Sequence, residues 1–417
     1  MARPRLRFLR SLLVDVAPLI EHRQFRFFFG SRLAFDGGRQ LIIVALPLQI
    51  YGLTGSSLAV GLIGAVQLIP TLAVSLIGGA LADSTDRRRL LVVGQGATGL
   101  CCLALMLYAG SNPVSTIPIY VLAALIAAVS AVVQPTRIAM IPTLVSTQAL
   151  PSALALNQVL SNVTKAAVPA LGGLMAAGLG LPSVYAVAAC ACAASALVAI
   201  RMAPMPPEGG GRAVGLESIR EGFRYLRSNR LIRGALLIDL NAMVFGMPSA
   251  LFPAWGTEVL GGDATTVGLL YSAPGVGALV AALTSGWLGR VRRQGRAVVV
   301  CVVAWGAAIT AFGFTEVLWA ALTLLLIAGA ADVVSAVFRS SIIQLTAPDG
   351  LRGRVSAFHI ATVSTGPRLG DLEAGVVATL TTPQISVVTG GVACAIGAVL
   401  VAKRVPELDA YQGAGLT

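Results

Sequence analysis

Twelve stretches of about twenty mainly apolar residues, separated by short polar connections, constrain this chain more than any other feature of its sequence. They lie near 25–50, 57–82, 90–110, 117–140, 152–178, 182–203, 231–256, 264–289, 297–314, 316–340, 355–380 and 384–402. A helix of about 20 apolar residues crosses the roughly 30 Å hydrocarbon core of a bilayer and satisfies its backbone hydrogen bonds internally. Composition agrees: 56% hydrophobic and only 12% charged residues over 417 positions, with a mean hydropathy of +0.83, exclude a soluble domain of this length. The fold class expected is therefore an all-α polytopic membrane protein of twelve transmembrane helices in two pseudo-symmetric six-helix halves. The first residues are basic but reach Asp15 and Glu21 before any long uncharged core forms, so a cleaved signal is not expected.

The net charge of +12 raises the question of a nucleic-acid partner, and its distribution answers it. Lys and Arg crowd the N-terminal arm, Arg87 to Arg89, the segment from Arg201 to Arg233, the run Arg290 to Arg296, Arg352 with Arg354, and Lys403 with Arg404. The alternate connections, near 51–56, 111–116, 179–182, 257–263, 314–316 and 381–384, contain neither residue. That alternation follows the positive-inside rule and places both termini in the cytoplasm; the basic charge sets topology, and no nucleic-acid partner is implied. The domains expected are a cytoplasmic basic arm (1–24), an N-terminal six-helix half (25–203), a cytoplasmic linker with an amphipathic helix (204–230), a C-terminal six-helix half (231–402) and a cytoplasmic tail (403–417). Leu216, Ile219, Phe223 and Leu226 supply the apolar stripe of the linker helix.

The halves repeat. Val60, Gly61, Leu62, Gly79 and Leu81 recur as Val267, Gly268, Leu269, Gly286 and Leu288 at one offset of 207 residues, about half the chain. Two six-span units at that offset are parallel repeats about an axis along the membrane normal. The six cysteines all fall within the apolar stretches, and no metal-binding spacing occurs.

The connection after the second span reads GGALADSTDRRR. Twelve spans in two halves with this G-x-L-A-D-x-x-x-R-R run resemble the major facilitator superfamily. The resemblance assigns a conformational latch to Gly79, Leu81, Asp83, Arg87 and Arg88, one that stabilises the state closed to the cytoplasm. Asp86 stands where that signature usually has glycine. In the fifth span Pro169, Gly172 and Gly173 resemble the helix-bending element of superfamily antiporters, with Val168 in place of its first glycine. LPLQIYGLTGSSLAVGL, SIREGFRYLRSNRLIRG and LRGRVSAF with GPRLGDLEAG are similar to stretches of the enterobactin exporter-like group of siderophore and drug efflux transporters. That likeness implies a bacterial cytoplasmic (inner) membrane.

Ionisable groups within spans are expensive unless paired or hydrated, and so mark function. Arg32, Asp36 and Arg39 share one helical face at i, i+4 and i+7. Span seven carries Asp239 and Asn241, span ten Asp332 and Arg339, and span eleven Arg368, Asp371 and Glu373. Asp36, Asp371, Asp239, Asp332 and Glu373 are the proton-coupling candidates. Arg32, Arg39, Lys165, Asn241 and Arg368 are the substrate-cavity candidates, Lys165 and Arg368 standing midway along spans five and eleven. His359 is expected at the membrane interface, and Arg137 at the cytoplasmic end of span four.

Only two lysines occur, neither in a G-x-x-x-x-G-K context, so ATP binding through that loop is excluded; no metal and no cofactor is implied. With just His22 and His359, a membrane-embedded enzyme lacks the residues for a reactive cluster. The reading is a monomeric efflux transporter that exchanges protons for a small organic molecule by alternating access. An importer or facilitated-diffusion carrier of the same fold is the alternative, and a membrane enzyme the remote one.

Overall fold

The computed structural model describes residues 15–206 and 216–413. Twelve long helices follow in order: α1 Arg23–Thr54, α2 Ser57–Ser84, α3 Arg87–Gly110, α4 Ile117–Leu144, α5 Leu150–Leu179, α6 Leu181–Ile200, α7 from Arg230 to Val259, α8 Ala264–Leu283, α9 Gln294–Phe312, α10 Leu318–Thr346, α11 Asp349–Leu380 and α12 Pro383–Arg404. Eleven are long and apolar enough to cross a membrane. The other is α11, 32 residues long, whose arginines and acids lower its apolarity. An even number of crossings puts both ends of the chain on one side, called here the termini side; the opposite face is the distal side.

Short connections work because side chains close the helix ends. Asp86, in the place usually held by glycine, is the N-cap of α3: its carboxylate accepts from the backbone N–H groups of Arg88 and Arg89 at 2.8 and 3.3 Å. Asp263 caps α8 in the same way, and the Thr382 hydroxyl caps α12. Gly55 ends α1 in the left-handed region at φ 59°, where a side chain would be strained.

Two hydrophobic cores result. One gathers Phe25, Phe28, Phe35, Leu91, Met140 and Tyr185 from α1 to α6. The other gathers Ile238, Trp255, Val302, Phe312, Ile342 and Val387 from α7 to α12. The helix Leu216–Ser228 lies between the halves in sequence and ties to the second, where Tyr225 donates to the Thr346 carbonyl and Glu221 pairs with Arg354 at 2.6 Å.

Three helices depart from the sequence expectation. Span seven is not one continuous helix: it stops at Phe245, turns through Gly246 to Pro248, and resumes as short 3-10, α and π segments from Ser249 to Val259. Span eight ends at Leu283, and a 3-10 turn covers Ser285–Arg290. Span four runs to Leu144 with Pro135 and Pro142 inside it, which carries Arg137 into the bundle rather than to its edge.

Candidate functional site

In the first half, α1 presents its charged face to α4 and α5. Asp36 accepts from Arg32 Nε at 3.1 Å and from Arg137 Nη1 at 2.8 Å. Arg32 also donates to Asn157 Oδ1 at 2.8 Å, and Asn157 is fixed by its own bond to the Ala153 carbonyl. Arg137 is 2% exposed, with its guanidinium over the Phe35 ring at 4.4 Å. It marks no membrane boundary: one carboxylate holds two guanidinium groups inside the bundle.

The second half repeats the construction on α7 and α10. Arg339, 1% exposed, places Nη2 at 2.8 Å from Asp239 and 3.6 Å from Asp332, and its Nη1 donates to Ser335. His359 Nδ1 of α11 approaches the other Asp239 oxygen at 3.7 Å. The expectation of an interfacial histidine is therefore corrected: α11 begins at Asp349, earlier than expected, which carries His359 into the bundle. Here one guanidinium is shared by two carboxylates.

Three cations face one another between the halves, and the space they border is called here the chamber. Lys165 is exposed, while Arg39 and Arg368 are half-buried. Lys165 is within electrostatic reach of Arg39, Asp332 and Asp36, and Arg368 of Arg39, which places these groups around one space. None of the three cations is paired with a carboxylate among the described residues, and Arg368 donates only to the Ser364 carbonyl on its own helix.

The distal side of that space is sealed by backbone against backbone. A Cβ on Gly268 of α8 would meet the Pro169 carbonyl of α5 at 2.6 Å and Gly173 Cα at 2.7 Å; one on Gly61 of α2 would meet Gly375 Cα of α11 at 3.2 Å. The repeated Val-Gly-Leu of the sequence is thus the seam between the halves. Ala170 N donates to Ser272 Oγ across it at 2.8 Å, and at the distal mouth the Tyr51 hydroxyl donates to Glu258. These contacts run from the distal face to the level of Lys165, where a Cβ on Gly275 would meet the Lys165 carbonyl at 2.6 Å.

The break in α7 borders this seal. Asp371 of α11 accepts from the Ser249 hydroxyl and from Ala250 N at 3.1 Å, satisfying donors that the interrupted helix leaves free, and Trp305 donates to the Gly246 carbonyl at 2.7 Å. Discontinuous helices at mid-depth are where secondary transporters place their binding sites.

Most of the expected residues meet here. Arg32, Asp36, Arg39, Lys165, Asp239, Asp332, Arg368 and Asp371 all border the chamber or its ion pairs. Asn241 does not: its amide donates to the Cys394 carbonyl of α12 at 2.8 Å, so it holds helices together within the second half. Glu373 is half-buried and outside both clusters. Pro169 and Gly173 lie in the seam and Gly172 packs on Leu41, all within an unbroken α5. Of the latch, Gly79, Leu81 and Asp83 fall outside the described side chains; Arg87 and Arg88 donate to the Ala139 and Met202 carbonyls. Sequence reasoning missed the roles of Arg137 and His359. The signal was present in the repeat: Asp36 and Asp239 stand 203 positions apart, and Arg137 and Arg339 stand 202 apart.

Comparison with known proteins places the chain among transporters. The model of the transmembrane secretion effector family matches residues 14–415. The enterobactin exporter EntS of Citrobacter koseri is 28% identical over 407 residues, covering 97% of each chain, and that of Shigella boydii 27% identical with the same coverage. Among solved structures, a D-xylose-proton symporter superposes with a TM-score of 0.73 at 13% identity, over 93% of this chain and 98% of that one. A bacterial homologue of the lysosomal transporter Spinster, inward-facing and unoccupied, gives 0.73 at 14%, with the same coverage. The human organic anion transporter MFSD10 gives 0.65 at 18%, over 91% and 99%.

Proposed function

Since this chain belongs to the transmembrane secretion effector family of major facilitator transporters, we propose that it exports a small, anionic or oxygen-rich organic molecule from a bacterial cytoplasm in exchange for protons. The observation that carries this reading is the set of three chamber-lining cations, Arg39, Lys165 and Arg368, that lack carboxylate partners among the described residues. They come from α1, α5 and α11, so a ligand held between them touches both halves. Such groups in a partly desolvated space favour a ligand that brings several oxygen acceptors. A siderophore fits that chemistry, and the enterobactin exporters are similar over 97% of their length.

The cycle follows from two seals that cannot both stay closed. With the termini side cytoplasmic, substrate enters the open chamber, cancels cation repulsion and draws the halves together below it. The distal seam at Gly61, Gly173, Gly268 and Gly375 then parts, and substrate leaves. Arg87 and Arg88, with Gly79, Leu81 and Asp83, latch the cytoplasmic side in that second state. Proton entry along the membrane potential drives the return, each charge crossing 100 mV supplying about 2.3 kcal/mol.

The test uses inverted proteoliposomes with an imposed pH gradient and two probes, iron-free enterobactin and a cationic dye. Gradient-dependent uptake of the catecholate, with little of the dye, is the expected result. Substitution of Arg39, Lys165 and Arg368 by Gln should each raise the apparent KM about tenfold, the loss of one charge-assisted contact. Flux of the catecholate that ignores the gradient refutes antiport and leaves facilitated diffusion; preference for the dye refutes the anionic substrate.

A further inference from the structure

The two ion-pair centres differ in what the loss of one charge leaves behind. Asp36 is the single carboxylate between Arg32 and Arg137, at 3.1 and 2.8 Å. Protonating it strands two guanidinium groups, one of them buried, with no other carboxylate at ion-pair distance among the described residues. Asp239 shares Arg339 with Asp332. Protonating Asp239 leaves Arg339 its second carboxylate at 3.6 Å, so a buried cation is never left alone.

We propose that the transported proton is carried by the C-terminal half, on Asp239 with Asp332 and His359 around Arg339, while Asp36 stays ionised as the fixed counter-ion of Arg32 and Arg137. The inference rests on the proton-driven reading above and assigns the site of coupling within it. The route ends at His359, whose side chain is 19% exposed and lies 3.7 Å from Asp239, itself fully buried. Protonated Asp239 gives its proton from Oδ2 to the buried Nδ1, the imidazolium releases its other proton from Nε2 to termini-side water, and return of the ring to its first tautomer readies it for the next cycle. In the distal-open state the proton enters through Asp332, which is 32% exposed toward the chamber. No bond other than these N–H and O–H bonds forms or breaks.

The charged and titratable groups around the centre come from every neighbouring helix: Arg339 and Asp332 on α10, His359 on α11, Lys165 on α5 facing Asp332, and the thiols Cys301 on α9 and Cys394 on α12 facing Arg339.

The experiment counts protons per substrate in proteoliposomes, with a pH-sensitive dye inside and labelled iron-free enterobactin as substrate. Wild type is compared with Asp36→Asn, Asp239→Asn, the charge-balanced double variant Asp239→Asn with Arg339→Gln, and His359→Gln. In the Asp239 variants substrate should still equilibrate down its own gradient while proton movement falls at least tenfold. His359→Gln should keep the proton-to-substrate ratio but slow proton movement several-fold. Asp36→Asn should bind substrate differently yet keep the wild-type ratio for every molecule it moves. A wild-type ratio in the double variant overturns the assignment, as does loss of proton movement in Asp36→Asn with substrate equilibration intact. Wild type that moves substrate without protons overturns this inference together with the antiport reading; wild-type coupling that survives in every C-half variant overturns this inference alone.

Discussion

The ion pairs of the two halves have the same architecture and opposite balance. In each, an acid about one-third to one-half along the first helix of the half meets an arginine about three-quarters of the way along the fourth, at 2.8 Å. The pairs are separated by 101 and 100 positions in sequence. Around that shared frame the first half adds an arginine, Arg32, and the second adds an acid, Asp332, and a histidine, His359. Duplication thus fixed where charge sits, and divergence fixed its sign. A cation-rich half is suited to hold an anionic ligand, and an acid-rich half to hold a proton, so the comparison separates the two tasks of an exchanger.

Removing the shared arginines breaks the comparison most severely. Arg339→Leu leaves two carboxylates without their cation and should cost about 3–5 kcal/mol of stability, the usual consequence of stranding a buried charge. Leucine at both Asp239 and Arg339 should recover much of that loss, because a buried pair contributes little net stability over an apolar replacement. Arg137→Leu should cost less than Arg339→Leu, since Asp36 retains Arg32 at 3.1 Å. Thermal unfolding of the purified protein in one detergent, followed by tryptophan fluorescence, orders the variants. Equal losses for Arg137→Leu and Arg339→Leu would mean that Arg32 does not compensate and that the halves are balanced alike.

The seam offers a second contrast, smaller in energy. Gly268 and its repeat partner Gly61 both press on backbone of the opposite half, a Cβ meeting the Pro169 carbonyl at 2.6 Å and the Asp371 carbonyl at 2.4 Å, but Gly268 also faces a second glycine Cα at 2.7 Å where Gly61 has one at 3.2 Å. Gly268→Val forces overpacking worth about 1–3 kcal/mol against the sealed state. That shifts the distal-open population by roughly five- to 150-fold. Thiol labelling of a cysteine placed at the distal mouth reads this population directly. Gly61→Val should open the mouth too; if it leaves labelling at the wild-type level, α5 and α8 alone hold the seal.

Most of the fold was legible because a bilayer leaves few solutions for an apolar chain. Twelve stretches, alternating basic connections and one repeat offset were sufficient to give the helices and their two halves. The site was legible in part. Intramembrane charge is conspicuous, so Asp36, Asp239, Asp332 and Arg339 stand out by type alone. Arg137 and His359 were hidden because helix ends are poorly marked where prolines fall inside a helix, as at Pro135 and Pro142, and a residue placed a turn from its true depth is read as a boundary. The break in α7 was hidden for another reason. It depends on donors and acceptors from α11 and α9, Asp371 and Trp305, that no local pattern reveals. Asn241 shows the converse: its type suggested a ligand contact, but its geometry assigns it to helix packing.

The smallest predicted effect tests the pseudo-axis itself. Tyr51 and Glu258 are 207 positions apart, the offset of the sequence repeat, and they meet at the distal mouth. Repeat-related residues can touch only beside the axis that relates the halves, so their bond closes the chamber at its symmetry point. Tyr51→Phe removes the donor and keeps the ring, which should weaken the sealed state by about 1 kcal/mol, the net contribution of one hydrogen bond at a partly exposed site. A change of that size raises the distal-open population roughly fivefold. Glu258→Gln keeps an acceptor and should move it less. If the two variants instead shift distal labelling equally, the carboxylate charge of Glu258 matters to closure as much as the tyrosine hydroxyl. If neither moves it, the glycine seam closes the mouth alone, and the bond at the axis follows closure rather than causing it.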